Sequence, residues 1–68
     1  MRFTLEIDQE EDGRWIVEIP ELSGVLAYGD TREAAVAKAK ILALRVVADQ
    51  LEHGEAETDL NDITFAAA

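Results

Sequence analysis

Apolar and polar residues alternate from Arg2 to Asp8, with Phe3, Leu5 and Ile7 on one side and Thr4 and Glu6 on the other. A period of two predicts a strand with one buried face. The alternation returns over Arg14 to Ile19, where Trp15, Val17 and Ile19 share a side. Gln9 to Gly13 lies between the two runs, polar and of hairpin length, with Gly13 free to take a positive φ. Pairing Ile7 with Trp15, Leu5 with Val17 and Phe3 with Ile19 collects six apolar side chains on one face. It also sets Asp8 across from Arg14. A slip of one residue would scatter that set, so this register is the expected one. Pro20 has no N–H to give and stops the ladder. Glu21 to Gly24 reads as a turn and Val25 to Tyr28 as a short third strand, which Gly29 breaks.

The period then changes. From about Thr31 to His53 the chain steps as a helix, with two apolar stripes instead of one. Ala35, Ala39, Leu42 and Val46 fall together, flanked by Val36, Ala43 and Val47. Ala37, Ile41, Leu44, Ala48 and Leu51 form a second stripe nearly opposite, at alternating spacings of four and three. Lys38, Arg45, Asp49 and Glu52 lie on a charged seam between them. One stripe suffices to cover a sheet. The second must bury itself against another chain or stay wet at a cost. Asp30 is placed to cap the helix, with Glu33 reaching back, and Thr31 then opens the first turn. Gly54 suits the C′ position, and His53 sits where a cation complements the helix dipole. A helix of about 23 residues is roughly 34 Å long, against roughly 23 Å for a strand of about seven. The helix is therefore expected to overhang its sheet.

Glu55 to Asp62 is acidic and without period, and Ile63-Thr64-Phe65 alternates again as a fourth strand. The pattern gives one α+β domain over residues 1–68, in the order β-β-β-α-β. Its strands form an antiparallel meander in the order 3-2-1, with strand four parallel beside strand one. A single long helix covers one face. Strands one and three run up, the helix down and strand four up again, which sets the parallel pairing.

Several of these residues form a further pattern. Asp12-Gly13-Arg14-Trp15 leads into the second strand, and Ile19-Pro20-Glu21-Leu22-Ser23-Gly24-Val25 follows it. Gly29-Asp30-Thr31 opens a helix carrying Glu33, Ala34, Ala35 and Val36. Over about Arg2 to Leu51 the chain resembles the HicB-type antitoxin family, whose N-terminal domain is a partial ribonuclease H-like fold. Ser23 stands where that family commonly has proline, Val25 where it has cysteine, and Ala34 where a glutamate is frequent. The resemblance implies a non-catalytic module that binds and neutralises a small basic mRNA-cleaving toxin by direct contact. Members of the family often carry a C-terminal DNA-binding unit. The chain stops before one, so operator binding is not carried over.

Charge bears on the same question. Fifteen acidic against six basic residues give a formal charge of −9. That balance disfavours direct binding to nucleic acid or to an anionic membrane, and it suits a basic protein partner or plain solubility. There is no cysteine. No apolar run is long enough to span a bilayer and no signal-peptide pattern opens the chain, so a cytoplasmic protein is the default.

A ribonuclease H-like fold invites a nuclease reading, but two-metal chemistry needs carboxylates that converge. The core side of the first strand is apolar, and Asp8, Glu10, Glu11 and Asp12 lie at its end and in a solvated loop. No catalytic, cofactor or metal residue is expected. His53 is the single histidine and lacks ligand-spaced companions. Trp15 reads first as a core residue under the helix and second as a recognition aromatic. Tyr28 fits either role. Glu10, Glu11 and Asp12 are a soluble hairpin tip or a contact for a basic partner. Ile41, Leu44, Ala48 and Leu51 are the expected interface of a homo-oligomer, a dimer or a dimer of dimers. The alternative to an antitoxin is a stand-alone oligomeric domain with a regulatory or small-ligand-binding role.

Overall fold

The strand β1 (Arg2–Gln9) and the strand β2 (Trp15–Glu18) form the expected hairpin in a register two residues away from the expected one. Ile7 faces Val17, Asp8 faces Ile16 and Gln9 faces Trp15. The cause lies in the loop. Arg14 lies opposite Glu10 and not Asp8, and Asp12 fixes it at the end of the loop: Oδ1 accepts from its backbone N–H at 3.0 Å and Oδ2 from Nε at 2.9 Å. The loop is then closed by the Glu10 N–H to Arg14 carbonyl bond at 2.7 Å, and Gly13 turns it at φ +91°. A shift of two keeps every side chain on its own face, so the apolar pattern cannot register it. Trp15, Val17, Ile19, Phe3, Leu5 and Ile7 still share one side. Asp8 is no longer opposite Arg14.

The computed structural model describes residues 1–55 and 62–68. The strand β3 (Leu26–Gly29) pairs antiparallel with β2, and β4 (Thr64–Ala67) pairs parallel with β1. The order is β3-β2-β1-β4, as the alternation and the direction of the helix imply. Strand four begins one residue later than expected. Ile63 instead packs partly buried against the core. The acidic stretch before it, residues 56–61, lies outside the described residues.

The helix α1 runs Arg32–Glu52. Its cap is Thr31 and not Asp30. Thr31 has extended backbone, and its hydroxyl accepts the Ala34 N–H at 3.0 Å. Asp30 lies one residue too early for that geometry, because Gly29 is the last residue of β3 and not a breaker before it. Gly29 is buried, and a Cβ there would come 2.5 Å from the Ala35 nitrogen. Glycine is used to let strand and helix backbones touch. At the other end Gly54, at φ +67°, takes the expected C′ place. Its N–H bonds the Leu51 carbonyl, and the Glu55 N–H bonds the Gln50 carbonyl at 2.8 Å. Those two bonds are a Schellman termination.

The face of α1 that meets the sheet is Ala35, Ala39, Ala43 and Val47. Leu42 and Val46, expected at its centre, are partly buried at its margin. A stripe of alanines lets the helix lie close over β3 and β2, with lesser contact to β1. Val17 and Ile19 are the most enclosed large side chains beneath it. Beyond Val47 no residue of α1 is buried, so the last turns do overhang.

Candidate interaction surfaces

Among the described residues, two surfaces stand out beside the core. The first is the outer side of α1. Ile41 is 49% exposed, Leu44 45% and Leu51 43%, with Ala37 and Ala48 exposed between them. These are the residues expected at an oligomer interface, and in the single chain they face solvent.

The second is the open face of the sheet. Pairing lays its residues out in rows. Glu6 faces Glu18, which faces Leu26 across the next pair. Asp8 faces Ile16, which faces Tyr28. The face is thus divided. Carboxylates lie over β1 and the end of β2, and apolar side chains lie over the start of β2 and over β3. Leu26 and Tyr28 are exposed beside half-buried Ile16. Glu6 directly opposite Glu18 is a like-charge cross-strand pair, which costs stability. Among the described residues neither carboxylate has an ion pair. Sequence alone makes this face look mostly polar, because Leu26 joins it only once the third strand is placed by its partners.

The hairpin-tip acids are not equivalent. Asp12 is spent on Arg14, and that backbone hydrogen bond, followed by the guanidinium, holds its carboxyl below the usual value. The same guanidinium lies 5.0 Å from the centre of the Tyr28 ring, a cation–π distance. Arg14 therefore links the tip to the apolar half of the open face. Glu10 and Glu11 are exposed at the tip with Asp12. Trp15 and Tyr28 are not brought together. Trp15 lies half-buried on the helix side with Val17, and Tyr28 lies on the open side with Ile16.

Glu21 is a residue whose role the sequence concealed. The paired part of β2 ends at Glu18, opposite Glu6, so the ladder between the two strands stops short of Thr4. Glu21 Oε1 accepts the Thr4 N–H at 2.9 Å, while Oε2 accepts the Thr4 hydroxyl at 2.6 Å. These two bonds, the hydroxyl first, hold the Glu21 carboxyl below its ordinary value. A turn glutamate carries no signal for this, because the acceptor is needed 17 residues away.

His53 is accounted for by the helix end. Its backbone N–H bonds the Asp49 carbonyl, and its Nδ1 lies 2.8 Å from the same oxygen. Among the described residues no three His, Cys, Asp or Glu side chains converge as a metal site would require, and no helix is long and apolar enough to cross a membrane. Comparisons with family models, with curated proteins and with solved structures each return no match for this chain.

Proposed function

We propose that this chain is a non-catalytic, antitoxin-type interaction module that binds a small basic ribonuclease toxin and neutralises it by covering its active surface. The observation that carries the reading is the divided open face of the sheet. Glu6, Asp8 and Glu18 make no ion pair among the described residues and stand beside Ile16, Leu26 and Tyr28. Carboxylates at that spacing would draw in a basic surface and speed its arrival. The apolar row would set how long it stays. Cations from a partner would also relieve the Glu6–Glu18 repulsion, so binding gains from a cost the free chain already bears. The resemblance over Arg2 to Leu51 to HicB-type antitoxins, with their partial ribonuclease H-like domain, supports the same class of partner. The net charge of −9 suits it.

The test is co-expression with a small basic protein encoded beside this chain. Rescue of growth is expected, with a complex on a sizing column that weakens as salt rises. Glu18→Lys should abolish rescue while the chain stays folded, since it removes a like-charge pair. Absence of both rescue and complex at low salt would defeat the reading. A stand-alone oligomeric domain of regulatory or small-ligand-binding role is the second reading. The exposed outer stripe of α1 favours it, and it expects self-association with no such partner. Either way the setting is taken to be cytoplasmic.

A further inference from the structure

The outer stripe of α1 has a regularity that solubility does not explain. Ala34, Ala37, Ile41, Leu44, Ala48 and Leu51 repeat at three and four, the spacing by which one helix seats its side chains between those of another. The inner face of α1 is already filled by the sheet, so among the described residues this seam has no partner. It is also overhung, free of the sheet beyond Val47, where a second helix can approach.

We propose that this seam docks antiparallel on the seam of a second copy of the chain, about a two-fold axis, with Ile41 beside the partner's Leu51 and Leu44 beside the partner's Ala48. Size and charge select this arrangement. It buries the three large exposed side chains of the seam in each copy and sets a large side chain, Leu44, against a small one, Ala48. Lys38 and Glu52 flank the seam on one side. In this register Lys38 lies about 3 Å, two residues' rise, from level with the partner's Glu52, a gap the two long side chains span, twice over by symmetry. Arg45 meets its own copy at the axis, where Asp49 one turn on in each chain tempers the repulsion. The register one heptad away sets Ile41 beside the partner's Leu44. It would place Lys38 against the partner's Arg45, also twice, and bring two more cations together. A parallel pair would set Lys38 by the partner's Glu33 but Lys40 by the partner's Arg45, and gains nothing net. Only the first arrangement converts the charged seam into attraction at both ends. It leaves the open face of the sheet free, so it holds whether or not a basic partner binds there.

Sedimentation of the full chain reads the test. A dimer is expected, and Leu44→Glu should render it monomeric while the far-ultraviolet spectrum keeps its helix. Lys38→Glu should weaken the dimer by about tenfold at low salt, and adding Glu52→Lys to it should restore the affinity. Both side chains are exposed, so the fold tolerates either change. Strengthening by Lys38→Glu would mean the other register, and failure of the second change to rescue would mean a parallel pair or an edge-strand dimer through β3. Either result overturns the proposal, as does a chain that stays monomeric. The absence of native cysteine allows one more reading. Leu51→Cys should not oxidise to a covalent dimer, because the two sites lie about 15 Å apart along the axis. A mixture of Leu51→Cys and Ile41→Cys chains should.

Discussion

The two sides of α1 reverse the usual allotment of size. On the side against the sheet stand Ala35, Ala39 and Ala43, fully buried, and Val47. On the outer side stand Ile41, Leu44 and Leu51, each more than two-fifths exposed. Greasiness alone would bury the second set. Distance decides otherwise. At Gly29 the β3 backbone comes so near the helix that even one carbon would meet the Ala35 nitrogen. A helix held that close to a sheet has room for methyl groups and little more. The large aliphatics are left outside by geometry, where they serve a surface and not the core.

The comparison is broken most forcibly from the inner side. Ala39→Leu should destabilise the chain by about 3 kcal/mol, since three added carbons find no space beside a backbone that cannot retreat. Chemical denaturation measures it, and a loss under about 1 kcal/mol would show the helix to be less tightly seated. Gly29→Ala should cost about 2 kcal/mol through the same contact, with the strand end and the helix start moved apart. Protection of the Ala34 and Ala35 amides from hydrogen exchange should fall with it.

On the open face the signs differ. Glu18→Gln should raise stability by about 0.5 kcal/mol in low salt, by removing repulsion from Glu6, and the gain should shrink as salt rises. No gain at low salt would mean that these carboxylates lean apart. The outer stripe of α1 should be the most tolerant site. At concentrations where the chain is monomeric, Leu44→Ala should change stability by less than about 0.5 kcal/mol. The same substitution should be felt when the concentration is raised, if the stripe is an interface.

Acid gives the smallest and most specific reading. Glu21 has its pKa lowered by its bonds to Thr4, chiefly the hydroxyl. Its folded value lies below its unfolded one. The stability it adds is therefore present above the ordinary glutamate value of about 4.3 and is lost as pH falls through the lowered folded value. Glu21→Gln should flatten that limb of a melting-temperature profile between about pH 7 and about pH 3. An unchanged limb would assign the acid sensitivity to other groups, Asp12 first among them.

The alternation of Phe3, Leu5, Ile7, Trp15, Val17 and Ile19 was enough to determine two strands, their shared face and, with the helix direction, the order and sense of all four strands. Gly54 and the spacing of Ile41, Leu44, Ala48 and Leu51 were equally legible, because each depends on neighbours within one or two turns. What lay beyond reach was whatever depends on distant atoms. The hairpin register turned on how Asp12 holds Arg14, and parity conceals a shift of two. The helix cap passed to Thr31 because Gly29 extended the strand. The open face became half apolar only when pairing brought Leu26 and Tyr28 beside Ile16. Between two apolar stripes, a periodic pattern has no means of choosing. The tertiary structure chose by clearance, since side-chain volume against a backbone is a property of two elements and not of one.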